Sequence, residues 1–591
     1  MPEQHSTFFS NLQYFALATT DSYGRPWATI VTGQPGQVVQ ALSKNTLAIS
    51  TALPPGDPVG QCFETRKAIL WAGLGVDFTN RRRNKVAGIV KYARANEGGK
   101  GELELRLETN ESLGNCPKYI TIRDLTNIQR TPQLITSQLN SSNILLTPDQ
   151  KALINQASTV FLATRHFTDD TTISDMGLNH RGGSPGFVRT YNDSTSTYII
   201  LPDFSGNRFY QSLGNIQTDH YAGLVIPDFT TGDILHITGE AENLFDDEAE
   251  SIMPRITLLT RIKITGLVHI KEGLNLRLNS PEQYSPYNPP IRYLTSELTL
   301  LNRPSSTPSN SARLTNINRI SQNISTFTFT LEKPVTHLPG HFAIFDFSPH
   351  IHRTYAHMNE QTPQQVNDDF IRTWTISSAP PISSSSSSSK SEDSELTFGE
   401  TTTLQCTIKH VALGAVTHFL HSLPAFLSSE IVLPFLGTGG DFSCFEMVDG
   451  KLSVPKKMVW IAAGVGITPF LAFYEALKKV KGIETDIVLL FAARGDESIV
   501  SDVFAPLGSG LVAINVRVFN SAAVEGGDSG EGDWRRTQKR RMTSVDIAEV
   551  PDVTDRVAYM CGPGGFMKDV AEWLAGAGVK GENIKKEEFA F

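Results

Sequence analysis

The sequence predicts a multidomain protein: two diverged copies of a β-barrel unit, a further β-rich segment, and a closing α/β domain built on a parallel sheet. Three observations carry that expectation. The 591 residues exceed what one hydrophobic core organises and call for about three to five domains. A proline- and serine-rich stretch from Ser280 to Asn310, containing SPEQYSPYNPP and RPSSTPSNS, divides the chain into halves of different texture. After about Leu433, short strands give way to an alternation of strand, glycine loop and helix.

Composition narrows the function classes. A 40% hydrophobic and 19% charged composition is that of an ordinary globular protein. The net charge of -9 argues against nucleic acid as a main partner, because a phosphate-binding footprint is basic. MPEQHSTFFSNLQYF has neither a basic n-region nor an apolar h-region, so secretion is not expected. The five cysteines (Cys62, Cys116, Cys406, Cys444, Cys561) are scattered and form no CxxC, against a zinc ribbon or an iron–sulfur cluster. A reducing, cytoplasmic setting is the expectation. The most hydrophobic passage, VWIAAGVGITPFLAF, sits in an uncharged window from Met458 to Tyr474. That is short of the roughly 18 to 20 residues of a spanning helix, and Gly464, Gly466, Thr468 and Pro469 lie at its centre. No membrane segment is expected.

The first half reads as short β-rich runs, among them TLAIS, ELELRL, TYIILPDF and DILHITGEAENLF, separated by turns. It also echoes itself. FALATTDSYGRPWATIVTGQPGQV from Phe15 has a counterpart in FLATRHFTDDTTISDMGLNHRGGSPGFV from Phe161, and FTNRRRNKVAG is matched to FSGNRFYQSLG. The units are placed at 1–145 and 146–279, with a linker at 280–310. Arg81, Arg82, Arg83 and Lys85 are the densest positive charge here; they serve either a solvated strand edge or capture of a phosphate. His180 and Arg181, ahead of paired glycines, form a second candidate, with Asn207 and Arg208 following in motif order. PHIHRTYAH offers His350, His352 and His357, but no carboxylate or cysteine completes a ligand set, so no metal is expected.

The second half divides into a β-rich domain at 311–453 and the α/β domain at 454–591. The serine run Ser383–Ser389, with its polar tail to Glu395, reads as a loop inside a domain, and Val524–Arg541 as a loop insertion. In KMVWIAAGVGITPFLAFYEALKKV, Met458–Ala462 is a buried strand without alternation. Gly464 and Gly466 follow, Pro469 suits a first helical position, and Phe470, Phe473 and Leu477 repeat at helical spacing. Such a turn serves either tight packing or approach of a pyrophosphate to backbone N–H groups at a helix start. Around it stand RTWTISS (Arg372–Ser378), IKHVALGAVTHFLH (Ile408–His421), YMCGPGGFM and the terminal IKKEEFAF.

This ordered set resembles the ferredoxin-reductase-type flavoprotein family, over about Ala312 to Phe591. The resemblance implies an antiparallel FAD-binding β-barrel followed by an NAD(P)-binding α/β domain. It implies that Arg372 meets the FAD pyrophosphate, that Trp374 stacks on the flavin where the family usually has tyrosine, and that Thr375 hydrogen-bonds flavin N5. HLPGHFAIFDF, with Pro339, Gly340 and His341, resembles the strand ahead of the flavin motif. Gly414, Val416 and Thr417 fall where a helix opens onto the pyrophosphate; Gly464, Gly466, Thr468 and Pro469 fall on the nicotinamide nucleotide. Cys561, Gly562 and Pro563 match the motif beside the nicotinamide. Glu587 and Phe589 match the terminal Glu-x-Phe pair, and Phe591 is positioned to cover the ring. Thr375, Cys561 and Glu587 are the implied catalytic positions, with Cys561 not a nucleophile. Arg494 follows the next strand, where the adenosine ribose would lie, and leaves NADPH against NADH open.

In the first half, GRPWATIV, GQPGQV, FTNRRRNKVAG and GNCPKYI, with NHRGGSPGFV, LPDFSGNRFYQSLGNI and AGLVIPDFTTGDILHITGEAE, resemble the pyridoxamine-phosphate-oxidase-like split-barrel family. The resemblance covers about Phe8 to Leu278 and implies two β split-barrel units that bind a flavin, often FMN, and are often dimeric. FMN, haem and no cofactor remain open for this half. The expected activity is hydride transfer from NADPH or NADH to FAD, and on to a small-molecule acceptor at the split-barrel half. The alternative is an electron-supply reductase for a separate haem protein or oxygenase, its barrels serving docking, dimerisation or ligand sensing.

Overall fold

The computed structural model describes all residues except 35, 65–69, 96–101, 142, 170–173, 194, 207, 301–309, 352–357, 385–395, 425–429, 449–450, 481, 496–498, 500–502, 505–510, 523–528, 532–533 and 588–591. The chain forms two compact units: residues 1–303 with 354–368 (unit 1), and residues 304–353 with 369–591 (unit 2).

Unit 1 contains two sheets of one design. The first comprises β1 (Tyr14–Thr20), β2 (Pro26–Thr32), β3 (Val39–Ser43), β4 (Thr46–Ala52), β5 (Leu70–Asp77), β6 (Arg82–Ala95) and β7 (Glu102–Asn115), in the order β2-β1-β5-β6-β7-β4-β3. The second comprises β8 (Thr159–His166), β9 (Asp175–Gly182), β10 (Arg189–Asn192), β11 (Thr197–Pro202), β12 (Tyr221–Pro227), β13 (Ile234–Phe245) and β14 (Leu258–Lys271). Its order is β9-β8-β12-β13-β14-β11-β10, with one more strand, Gln133–Gln138, on β14. Each strand of the second sheet thus takes the place of the strand seven earlier. A helix, α1 (Pro58–Glu64) or α2 (Gln211–Asp219), precedes the fifth strand of each.

The likeness extends to single residues. A bulge skips Asn110 opposite Ala87 and Gly88, and another skips Thr265 opposite Thr238 and Gly239. A Cβ on Gly88 would lie 1.9 Å from the Glu108 carbonyl oxygen, and one on Gly239 2.0 Å from that of Lys263. Only glycine fits either place. Asp77 and Asp228 each accept the N–H two residues on, from Thr79 and Thr230. Arg81 and Gly232 then both take positive φ, 60° and 83°. This register matches FTNRRRNKVAG to FTTGDILHITG, not to FSGNRFYQSLG as the sequence comparison suggested. The strong arginine signal in both segments had outweighed the weaker Phe-Thr…Gly frame.

The runs FALAT and PWATIV lack alternation because both their faces are covered, and every residue of β1 and β2 is buried. Phe15, Leu17, Trp27 and Val31 face the core of their own copy. The small Ala16, Ala18 and Ala28 face Phe161, Ala163, Met176 and Leu178 of the other copy, in one shared core. Residues 280–300, expected as linker, pack on this unit instead. Tyr287 and Leu294 are buried, Ile122 and Gln283 pair as an antiparallel bridge, and a short helix follows at Thr295–Leu300. Two apolar anchors suffice because the prolines between them lower the entropy lost on ordering.

Unit 2 begins with β15 (Asn310–Arg319), β16 (Ile324–Val335), β17 (Phe342–Asp346), β18 (Ile371–Thr375), β19 (Thr401–Lys409) and β20 (Val432–Gly439), in the antiparallel order β18-β17-β20-β15-β16-β19. Past β18, the Ser377 N–H donates to the Gln405 carbonyl at 2.7 Å, which joins the two end strands. Helix α3 (Ala415–Ser422) follows β19. The last sheet comprises β21 (Lys457–Ala463), β22 (Thr485–Ala493), β23 (Val512–Asn520), β24 (Ser529–Glu531), β25 (Arg535–Gln538), β26 (Val557–Cys561) and β27 (Ile584–Glu587). They run β24-β25-β23-β22-β21-β26-β27, with every pair parallel except β24 with β25.

Helices α4 (Thr468–Lys479) and α5 (Gly564–Gly576) cover opposite faces of this sheet. Met458, Trp460 and Ala462 pack with Phe470, Phe473 and Leu477, while Val459 and Ile461 pack with Met567, Val570 and Leu574. A strand buried on both faces has no polar side, which is why Met458–Ala462 is uniformly apolar. Among the described residues no helix is long and apolar enough to cross a membrane. The expected loop at 524–541 instead supplies the edge strands β24 and β25. The serine run lies mostly outside the described residues.

Candidate functional site

The carboxyl ends of β21, β26 and β27 are neighbours, with Ala462 opposite Cys561 and Cys561 opposite Glu587. Parallel register therefore places Gly464, Cys561–Pro563 and Glu587 along one edge of the sheet, the edge where open α/β sheets receive ligands. β22 ends next to β21 on the same edge, and exposed Arg494 follows it. Asn520, at the end of β23, fixes the turn after Arg494. It accepts the Gly495 N–H at 3.0 Å and donates to the Gly495 carbonyl at 3.1 Å.

The two glycines of the first loop have different jobs. Gly464 takes φ +55°, and a Cβ there would meet nothing within 4 Å. What it supplies is a left-handed turn beside open space. A Cβ on Gly466 would lie 2.3 Å from the Cys561 carbonyl oxygen, so that glycine lets the loop press on the 561–562 backbone. Thr468 is buried, its hydroxyl donating to the Val465 carbonyl at 3.0 Å, and Pro469 stands in the first turn of α4. Pro563 is the N-cap of α5, and Gly564 and Gly565 again have nothing within 4 Å of an added Cβ. Two helix starts thus open onto the same edge, with room for a phosphate-bearing ligand at backbone N–H groups.

The electrostatics of this edge are acidic. Burial, and then the Asp441 carboxylate, push the Glu587 carboxyl up to about 7, so near neutrality it is shared between acid and base forms. Burial, and then Glu587, push the Cys561 thiol well above its usual value; it stays protonated and is no nucleophile. His341 is lowered by burial although Asp441 opposes this. Asp441 follows the turn Gly439-Gly440, and no sequence pattern singled it out.

In the antiparallel sheet, Arg372, Trp374 and Thr375 stand on β18, paired with Phe345, Ala343 and Phe342. The Arg372 guanidinium donates to the Ile371 carbonyl at 2.8 Å. Trp374 is half-buried, edge-on to Phe347 at 5.4 Å, and Thr375 is buried. Gly414 caps α3, Val416 is core, and the Thr417 hydroxyl accepts the Val411 N–H at 3.1 Å and closes the turn ahead of the helix. Phe589 and Phe591 lie outside the described residues, as do Asn207, His352 and His357. His350 is held by the Val432 carbonyl at 2.8 Å. Among the described residues no group of His, Cys, Asp and Glu could hold a metal ion.

Unit 1 gathers candidates that are far apart in sequence. Arg83, His180, Arg181 and Arg208 line one cavity of about 290 Å3 between the two copies, together with Lys118 and Tyr119 of GNCPKYI, which were not named as candidates. Arg81 and Arg82 lie elsewhere: Arg81 donates to the Ile120 carbonyl, and Arg82 covers the Phe8 ring. Lys85 is buried against the Gln211 amide oxygen at 2.8 Å, and burial lowers it to about 7.

Residues 460–572 match the family described as the oxidoreductase NAD-binding domain. The chain therefore carries the nicotinamide-nucleotide domain of an oxidoreductase. It is 26% identical over 147 residues to a flavohemoprotein of Rhodopirellula baltica, covering 25% of this chain and 35% of that one. It is 26% identical over 180 residues to a flavohemoprotein of Halalkalibacterium halodurans, covering 30% of this chain and 40% of that one. It thus spans well under half the length of these curated relatives. The flavohem-like FAD/NAD-binding domain of nitric oxide dioxygenase from Vibrio cholerae aligns with TM-score 0.32 and 19% identity, over 48% of this chain and 99% of that one. The cytochrome b5 reductase domain of Ulva prolifera nitrate reductase aligns with TM-score 0.32 and 18% identity, over 47% and 96%.

Proposed function

We propose that the chain is an FAD-dependent NAD(P)H oxidoreductase whose electrons pass to a small-molecule acceptor at its first half. The observation that carries this reading is the shared edge of Gly464, Cys561–Pro563 and Glu587 inside a domain that matches the oxidoreductase NAD-binding family. The donor set suits the two cofactors. Arg372 offers a planar fork for the FAD pyrophosphate, Trp374 a flat face for the flavin, and Thr375 a hydroxyl for flavin N5. The turn at Gly414 and Thr417 offers helix-start N–H groups to the same pyrophosphate. FAD, when bound, supplies the hydride-accepting chemistry.

The chain's own residues position and shield. Gly464, Gly466, Thr468 and Pro469 shape the turn that offers N–H groups to the nicotinamide nucleotide. Cys561, Gly562 and Pro563 supply an apolar flank for its ring, the thiol remaining neutral. Glu587 holds a proton on its carboxyl near neutral pH, beside the place where charge changes. Arg494 stands where a ribose phosphate would meet it, with Phe589 and Phe591 assigned to the flavin face by motif alone. A second reading, supply of electrons to a haem protein, is favoured by the flavohemoproteins among the relatives.

The test is direct. Full-length protein supplied with FAD should retain it, show a flavin absorbance spectrum and oxidise NADH or NADPH with ferricyanide. Arg372→Ala should lose most of the bound FAD, a drop in affinity of about tenfold or more. Absence of both FAD retention and ferricyanide reduction would sink the reading. Transfer to an added haem protein in preference to any small molecule would select the second reading over the first.

A further inference from the structure

The chain crosses between its two units three times, and one crossing falls beside the residues assigned to FAD. Residues 354–368 belong to unit 1 although unit 2 flanks them in sequence. The passage back into unit 2 therefore lies between Asp368 and Asp369, just ahead of Arg372, Trp374 and Thr375 on β18.

On the unit 1 side, Asn367 is fixed by the whole of its side-chain amide. It ends a 3-10 turn, Pro363–Asn367, that follows a hydrogen bond from the Thr362 N–H to the Asn359 side-chain oxygen at 3.0 Å. The Asn367 nitrogen donates to the Tyr119 hydroxyl at 2.9 Å and to the Tyr287 carbonyl at 3.1 Å. Its oxygen accepts the Ser205 N–H at 3.3 Å. The Tyr119 hydroxyl in turn donates to the Ser205 carbonyl at 2.5 Å, so Asn367, Tyr119 and Ser205 close a ring of hydrogen bonds. Burial pushes the Tyr119 phenol well above its usual value, although the Asn367 hydrogen bond opposes this, and it stays a neutral hydroxyl. Two donors and an acceptor on one short side chain are what an amide supplies; a carboxylate of the same shape has no donor. Three stretches of unit 1 that are far apart in sequence thus meet at one residue.

On the unit 2 side the chain is held just as closely. The Phe370 ring is buried in the core of the antiparallel sheet, and its φ is 57°. A large side chain holds that left-handed state only where its surroundings impose it. The Phe370 carbonyl accepts the Phe347 N–H at 3.0 Å, and the Asp369 carboxylate accepts the Ile371 N–H at 3.1 Å. β18, which follows, is an end strand laddered to β17, and of its five residues only Thr375 is buried. A strand with so little core burial takes much of its order from what holds its entry.

We propose that Asn367 is a positioning residue for the FAD site. By holding the chain at the crossing it fixes the entry of β18, and with it Arg372, Trp374 and Thr375, before FAD arrives. The entropy of ordering that segment is then lost on folding and not on binding, which raises affinity without a contact to the ligand. The inference rests on the reading above for the ligand and on the fold alone for the link.

Two variants of the full chain attack the link at different places. Asn367→Asp keeps the shape of the side chain and removes both donors. Two glycines inserted between Asp368 and Asp369 keep the anchor and slacken the chain beyond it. Without FAD, both should speed hydrogen exchange of the β18 amides about tenfold and leave those of β15 and β20 unchanged. Titration with FAD, followed by flavin fluorescence, should show affinity about tenfold weaker in both. Tyr119→Phe, which removes one hydroxyl, should weaken it less. Exchange and affinity unaltered in both variants would overturn the proposal. So would raised exchange with FAD affinity unchanged, since β18 would then find its place without the anchor. Loss of affinity in Asn367→Asp but not in the insertion would also overturn it, confining Asn367 to the stability of unit 1. A parent chain that binds no FAD, with exchange still raised in both variants, would instead sink the reductase reading and leave the link standing.

Discussion

The two units make their sites from different materials. Unit 2 uses backbone: carboxyl ends of adjacent parallel strands, glycine turns and helix starts, with Cys561 and Thr468 facing inward as neutral packing groups. Unit 1 uses side chains: Arg83, Lys118, His180 and Arg181, carried into one cavity by a duplicated antiparallel architecture. The difference teaches where each is vulnerable. A backbone site fails when a Cβ displaces the main chain and tolerates many other changes. A side-chain site fails when a charge is removed, and it carries the desolvation of those charges as a standing cost in stability.

The largest effect should come from Gly466→Val. Its Cβ would fall 2.3 Å from a backbone oxygen, that of Cys561, which cannot swing aside as a flexible side chain can. Misplacing the loop by about 1 Å should lower nicotinamide oxidation on the order of a hundredfold, read by steady-state ferricyanide assay. Gly464→Ala meets open space and pays only for its φ of +55°, about 1 kcal/mol, so its activity should stay within a few-fold of wild type. Equal damage from both would break the claim that packing decides one position and dihedral angle the other.

Next in size is a change to the frame of unit 1. Gly88→Ala sets a methyl 1.9 Å from the Glu108 carbonyl oxygen and should destabilise by roughly 3 kcal/mol, seen in chemical denaturation. Gly239→Ala, the equivalent bulge in the second copy, should cost a similar amount, with its methyl 2.0 Å from the Lys263 oxygen. If only one of the pair matters, the copies are less alike in energetics than in topology. Lys118→Met tests the opposite sign. Burial lowers the Lys118 pKa from its usual value, and among the described residues its ammonium has no hydrogen-bond partner, only the Tyr119 ring at 5.8 Å. Replacing it with an apolar chain should therefore stabilise the ligand-free protein by about 1–2 kcal/mol. A variant that melts below wild type would show that the lysine supports the fold rather than a ligand.

How much of this was legible in the sequence follows the same division. Met458–Ala462, Gly464, Pro469 and Phe470 are consecutive, so strand, turn and helix could be read together and set beside Cys561 and Glu587. The duplication was legible in the Leu-Ala-Thr strands, because an apolar run buried on both faces keeps a recognisable composition. The pairing of FTNRRRNKVAG was misread, since surface arginines are more visible than the Asp-Phe-Thr turn that sets the register. Asn367 was not legible at all, and Lys118 stood inside GNCPKYI without being singled out. Asn367 lies far beyond the second copy in sequence, and only tertiary packing brings it to Tyr119. Residues 280–300 were missed because polarity was averaged over the stretch, whereas two apolar side chains, Tyr287 and Leu294, decide its fate.

The smallest effect concerns protons and separates the two sites by pH. Burial and Asp441 raise Glu587 to about 7, whereas burial and Arg83 hold His180 far below its usual range. Between pH 6 and 8, therefore, the Glu587 carboxyl in unit 2 changes charge and the His180 imidazole in unit 1 does not. Below about 7 the Glu587 carboxyl is protonated; above it, a second negative charge stands beside Asp441. Nicotinamide oxidation should fall by a few-fold as pH rises through about 7, and Glu587→Gln, fixed in the neutral form, should flatten that profile. The linkage to stability has the same sign. A carboxyl whose folded-state pKa is raised stabilises fully below its unfolded value and loses that contribution as pH rises through about 7. Glu587→Gln should therefore melt no lower than wild type at pH 8. An oxidation profile that falls just as steeply in Glu587→Gln would place the titrating group elsewhere than on Glu587.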